Sequence, residues 1–168
     1  MGASGRLLRA WLTEAHLLST QAAPGPLSDQ SGDAAATPAP AQSPLFANAL
    51  CCWPARVDLK PTEEELRACR PHLEATLAYA RPRYILAVGG VALNALVPGA
   101  VVSVDRGKMY RARGFWGEAW CMGTFHPAAV LRDPRLAYIA RQDVLWFSFW
   151  TLGQFEPWEG ARGGTYLG

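Results

Sequence analysis

Tyr84-Ile-Leu-Ala-Val88 is an unbroken apolar run, closed by Gly89-Gly90 and followed by Val91-Ala-Leu-Asn-Ala-Leu96. A strand with one wet face alternates apolar and polar residues, so a continuous run predicts a strand covered on both faces, as in the centre of a parallel sheet. The glycines then turn the chain, and the pattern beyond them predicts a short helix over 91–96. Strand, turn and helix in this order commit the chain to an α/β arrangement. The glycine turn itself has two readings. A helix N-terminus behind such a turn is a seat for phosphate, and tight strand-to-helix turns also use glycine for steric reasons alone.

The flanking segments fill in the layers. Residues 4–19 predict a helix with Ser4 as its N-cap and Leu7, Leu8, Trp11, Leu12, Ala15 and Leu18 as one apolar stripe, with His16 inside it. From Thr20 to Pro44 the chain is Ala, Pro, Ser, Gln, Asp and Gly, with Leu27 as the sole large apolar residue, which predicts a disordered insertion. Leu45–Leu50 reads as a short buried strand containing Asn48, and Cys51–Pro61 as a loop. Thr62-Glu63-Glu64-Glu65 carries a capping-box pattern, opening a helix that buries Leu66, Cys69, Leu73 and Leu77 and ends before Arg81-Pro82-Arg83. His72 falls within that helix.

Val101–Asp105 is predicted as a short strand, Glu118–Phe125 as a buried one, and 136–152 as a final helix dense in aromatic residues. Residues 153–168 read as a loose tail. The order predicts an α/β three-layer sandwich with a mostly parallel central sheet, its core at 45–152 and residues 1–19 supplying an N-terminal helix.

Composition narrows the class. No apolar run approaches the roughly 20 residues of a membrane span, and the N-terminus has no secretory pattern. The expected compartment is the cytoplasm. Cys51, Cys52, Cys69 and Cys121 therefore read as thiols or metal ligands before disulfides. A net charge of +2 permits nucleic-acid binding through a local patch without indicating it.

The stretch with the most chemistry is Thr124-Phe-His-Pro-Ala-Ala-Val-Leu-Arg132. Pro127 biases His126 towards an extended backbone, so a titratable ring stands at the mouth of a strand with a leucine and an arginine close behind. That layout suits chemistry on a bound anionic polymer.

Four patches in register resemble the uracil-DNA glycosylase superfamily, and within it the iron–sulfur members of families 4 and 5. They are Ser4-Gly-Arg-Leu-Leu8; Asn48-Ala-Leu-Cys-Cys-Trp-Pro54 running into Pro61-Thr-Glu-Glu-Glu-Leu-Arg-Ala-Cys69-Arg-Pro71; Arg81-Pro-Arg-Tyr-Ile-Leu-Ala-Val-Gly-Gly-Val-Ala92; and Thr124–Arg132 followed by Arg141-Gln-Asp143. The resemblance spans about residues 3–19 and 45–150. It implies a uracil-DNA glycosylase-like fold and hydrolysis of the N-glycosidic bond to uracil in DNA, as in base-excision repair, by a monomer.

The same resemblance implies roles. His126 would donate a hydrogen bond to charge developing on the uracil oxygen; otherwise it is a hydrogen-bonded loop histidine. Asn48 would read the uracil edge, or be satisfied by backbone. Gly89 and Pro127 would line the substrate site. Leu131 would wedge into the gap left by a flipped base while Arg132 contacts phosphate, or the leucine turns inward and the arginine is solvated. Arg106, Lys108, Arg111 and Arg113 would track the DNA backbone, or form a solvated face. Cys52 and Cys69, with Cys51 as an adjacent alternative, map onto one pair of ligands for a [4Fe–4S] cluster.

There is also a departure. Relatives of this type open with a glycine- and acid-rich segment holding the water-activating residue, an aromatic that stacks on uracil and a Cys-x-x-Cys pair. These 168 residues begin just past that point, so two cluster ligands are missing and no cofactor is expected in this chain alone. Activity would be impaired, or the true start lies upstream. Two other readings stand beside the enzyme: a non-catalytic DNA-binding or interaction module on the same fold, and a small α/β domain binding another phosphate ligand at Gly89-Gly90.

Overall fold

A computed structural model describes residues 2–18, 44–51, 60–154 and 156–158. Helix α1 (Ala3–Glu14) starts one residue earlier than expected, with Gly2 at its N-cap in place of Ser4. It stops at Glu14, and His16 lies beyond it in the left-handed region at φ 57°. The predicted stripe is the buried one: Trp11, Leu12 and Ala15 are in the core, with Leu7, Leu8 and Leu18 packed beside them. The insertion expected from 20 to 44 falls almost wholly outside the described residues, as does most of the tail.

Leu45–Leu50 forms no strand. The segment is irregular, and Leu45 and Phe46 are exposed, with Phe46 lying under the Arg9 guanidinium of α1 at 5.4 Å. Its apolar letters make a local contact with α1 in place of a sheet pairing.

Helix α2 (Glu63–Ala80) opens on the capping box read from the sequence. The Thr62 hydroxyl accepts from the Glu65 amide, and the Glu65 carboxylate accepts from the Thr62 amide at 2.7 Å. It buries Cys69 and Leu77 and closes at Arg81 in the left-handed conformation. Strand β1 (Tyr84–Val88), the Gly89 turn and helix α3 (Gly90–Leu96) then follow as expected.

Val101–Asp105 is a helical turn, α4 (Val102–Asp105), where a strand was expected. The Asp105 carboxylate accepts the Val101 amide at 2.8 Å, and this local side-chain cap outweighs the strand preference of three valines. Strands β2 (Met109–Gly114) and β3 (Gly117–Thr124) form a hairpin, so the basic stretch becomes an edge strand. Helix α5 (Pro127–Arg132), a 3-10 turn over Pro134–Leu136 and helix α6 (Ala137–Thr151) complete the chain.

The sheet order is β1-β3-β2, with β1 parallel and β2 antiparallel to β3. Among the described residues the sheet is thus small and mixed, where a mostly parallel one was expected. The hairpin that carries the basic residues supplies the antiparallel edge. Alternation along β3 divides the core. Trp120 and Met122 pack with Met109, Phe147 and Trp150 on the α6 side, while Cys121 packs with Ala87, Leu93 and Ala112 on the α3 side. None of the described helices is long and apolar enough to cross a membrane.

Candidate active site at the strand ends

Parallel strands β1 and β3 end side by side, with Val88 opposite Thr124. The crevice beyond the carboxyl ends of such strands is where open α/β sheets bind ligands. Here the Gly89 amide donates to the Thr124 carbonyl at 2.8 Å. Gly89 has φ 95°, and a Cβ there would stand 3.0 Å from the His126 Cβ. The glycine is required twice, for its backbone angle and so that the imidazole can lie against it. The steric reading of this turn accords with that close approach, and the Gly89 amide itself is taken up by the sheet.

His126 is the N-cap of α5. Its Nδ1 accepts from the Ala128 amide at 3.1 Å, and Pro127 sits buried at the first helical position. Partial burial, then the positive charge of Arg132, hold its pKa below the ordinary 6.5. A neutral ring whose Nδ1 accepts must carry its proton on Nε2. His126 thus carries one N–H donor, Nε2–H, just beyond the C-terminal end of β3. The loop hydrogen bond expected of this histidine is present, and it leaves Nε2–H as the ring's donor.

Helix α5 is pinned by Val130, which enters the core with Trp11 and Leu12 of α1. A residue one step further along a helix points some 100° away, and Leu131 is accordingly exposed. The inward-turned alternative for Leu131 does not hold. Arg132 is exposed, and no ion pair to it is seen among the described residues. Asn48 is exposed on its irregular segment, where its carbonyl accepts from the Cys51 thiol at 3.8 Å. The backbone-satisfied strand position expected for its side chain is absent.

The basic stretch is committed to carboxylates. Lys108 reaches Asp105 at 3.0 Å, and Arg111 and Arg113 meet Glu118 at 2.9 and 3.3 Å. Arg111 also stacks on Trp120 at 3.8 Å. Arg106 turns inward, its Nε 2.8 Å and Nη2 2.5 Å from the two oxygens of Asp143. The acids are equally committed. The Val101 amide, Tyr110 hydroxyl and Lys108 hold Asp105 down to a pKa of about 2, and the Arg135 guanidinium holds Asp133 low.

Cys69 is buried on α2, Cys51 is exposed, and Cys121 is buried in β3 with its thiol pushed up to about 12 by that burial. Cys52 lies outside the described residues. Among the described residues no three cysteine, histidine or carboxylate side chains converge as a metal site would require. The described residues do not by themselves fit a [4Fe–4S] cluster.

Sequence reasoning missed Asp143 as a partner of this site. It is buried within α6, takes the Arg106 fork, and accepts the Thr124 hydroxyl at 2.9 Å. The signal was a lone acid in an otherwise apolar and aromatic helix.

A family profile described as "Uracil DNA glycosylase superfamily" matches residues 1–148. The chain belongs to that superfamily. It is also similar to a type-4 uracil-DNA glycosylase of Pyrobaculum aerophilum, with 31% identity over 108 residues, 61% of this chain and 55% of that protein. The chain thus spans about half the length of that curated relative. Membership accords with the strand-end site: the match takes in β1, the Gly89 turn and the His126 helix, the elements that meet there.

Proposed function

We propose that the protein hydrolyses the N-glycosidic bond of uracil in DNA. Its target nucleotide leaves the base stack, at a cost of a few kcal/mol, and enters the crevice beyond β1 and β3. As the bond breaks, the base takes on negative charge and the sugar becomes oxocarbenium-like; a water then adds to C1′, and the proton it releases balances the charge of the departing uracil. The Nε2–H of His126 donates to the oxygen where that charge grows. A fixed donor of this kind contributes about 2.7–4 kcal/mol to transition-state stabilisation. Leu131 enters the gap in the stack, Arg132 meets a phosphate, and Asn48 pairs with the uracil edge. Gly89 and Pro127 line the floor against which the ring is set.

The observation that carries this reading is the ring of His126, held at Nδ1 by the Ala128 amide and backed by Gly89 at the strand ends. Superfamily membership supports the substrate class. The test is uracil release from a uracil-containing oligonucleotide, with His126→Ala and Asn48→Ala as controls. The reading expects release that drops in both variants.

A second reading, a DNA-binding module without hydrolysis, is favoured by one observation. Asp105, Asp133 and Glu118 are each held by cations, which leaves none of them free to activate a water. The readings part in the same assay: salt-sensitive binding of the oligonucleotide without uracil release would select the module.

A further inference from the structure

Asp143 is an acid buried in the core that the proposed chemistry does not use, and its surroundings are built for it. Gly107 comes so close that a Cβ there would stand 2.8 Å from Oδ1, and its φ is 70°. Any other residue would be strained there and would crowd the carboxylate. Arg106 closes a two-bond fork on Asp143 at 2.8 and 2.5 Å, and the Gly107 amide donates to the Gly123 carbonyl at 2.9 Å. The carboxylate then takes the Thr124 hydroxyl at 2.9 Å, while the Thr124 carbonyl takes the Gly89 amide at 2.8 Å. The last link is proximity: a Cβ on Gly89 would stand 3.0 Å from the His126 Cβ and 3.5 Å from the nearest ring atom.

We propose that Asp143 is a positioning residue for His126, acting through Thr124. The chain Arg106–Asp143–Thr124–Gly89 ties α6, the segment before β2 and the ends of β1 and β3 to one point. That point fixes the floor on which the imidazole lies, and hence where its Nε2–H is aimed. Arg106 is thereby a member of an internal clamp, and its guanidinium is not a phosphate contact. A fork between planar groups has a defined geometry as well as strength, and a hydroxyl held by a charged acceptor is rigid where a neutral one would swing. This inference rests on the reading of His126 as the donor.

The experiment separates position from stability and from the reading itself. Asp143→Asn risks unfolding, because it leaves the Arg106 charge unmatched, so the decisive variants are Thr124→Val, which removes the hydroxyl alone, and Thr124→Ser, which restores it. Imidazole 15N NMR, assigned by comparison with His126→Ala, reads the tautomer of His126 in the full chain without any need for activity. Single-turnover uracil release reads the rate. The proposal expects one Nε2–H tautomer in the wild type, Nε2 resonances that shift or broaden in Thr124→Val as the floor under the ring loosens, and the wild-type pattern again in Thr124→Ser. It expects the single-turnover rate to fall roughly 10²-fold in Thr124→Val, the scale of a small misplacement, and Thr124→Val to add no further loss to His126→Ala. A folded Thr124→Val with unaltered His126 resonances overturns the proposal, as does a loss of rate that adds fully to that of His126→Ala. A wild type without a single Nε2–H tautomer would overturn the reading of His126 instead.

Discussion

The two ends of β3 face opposite demands. The strand has eight residues, roughly 23 Å from end to end at about 3.3 Å per residue. At its C-terminal end the polar groups are sunk into the core and multiply bonded: Thr124 and Asp143 are 0% and 2% exposed, and two glycines admit neighbours that any side chain would repel. At its N-terminal end Arg111 and Arg113 share Glu118 at the surface, and the hairpin tip leaves Phe115 fully exposed. Both ends carry arginine–carboxylate pairs of similar length. The difference is water. Around the exposed pair the solvent competes with every contact, so the side chains can exchange partners at little cost. Around Asp143 water is all but excluded, and the carboxylate is held by the Arg106 fork and the Thr124 hydroxyl, so its geometry is fixed. A site that aims a single N–H belongs at the second kind of end.

Breaking the comparison at its strong end should have the largest effect. Arg106→Ala leaves the Asp143 carboxylate buried and unmatched, and denaturant unfolding should show a loss of about 3–5 kcal/mol. The strand's own thiol gives the next contrast. Cys121 has a pKa of about 12, so at pH 8 to 9 it should resist iodoacetamide in the native protein while exposed Cys51 is alkylated, as mass spectrometry would show.

A smaller effect sharpens the site's electrostatics. His126 is held below 6.5 by partial burial and by Arg132, so an NMR titration should place its midpoint below that of an ordinary histidine, and Arg132→Ala should raise it. The sign for stability follows. The unfolded state takes up the proton first, so this contribution is whole above pH 6.5 and is lost as pH falls through the folded pKa. At the weak end the effect should be smallest. Glu118→Ala should cost less than about 1 kcal/mol in the same unfolding experiment.

Much of the fold was legible because its signals are local. The Thr62–Glu65 capping box, the apolar run before Gly89-Gly90 and the aromatic-rich final helix each predict an element from neighbouring residues. Where a local signal met a competing local bond it misled: three valines pointed to a strand over 101–105, and the Asp105 carboxylate capped a turn instead. Leu45 and Phe46 misled because apolar letters do not by themselves mean burial: both stay exposed, and Phe46 meets the Arg9 guanidinium of α1. At the site, His126 was legible from its proline and its strand, and its orientation was not, because that depends on the Ala128 amide and on a glycine 37 positions earlier. The partnership of Arg106 with Asp143 could not be read at all, since those residues meet only after the sheet and α6 have packed.

The most direct test of the account compares uracil release by the wild type, His126→Ala and Glu118→Ala on one uracil-containing oligonucleotide under single-turnover conditions. The account predicts release by the wild type, a loss of roughly 10²–10³ in His126→Ala, and a rate close to wild type in Glu118→Ala. Undiminished release by a folded His126→Ala, or none by the wild type, would contradict it.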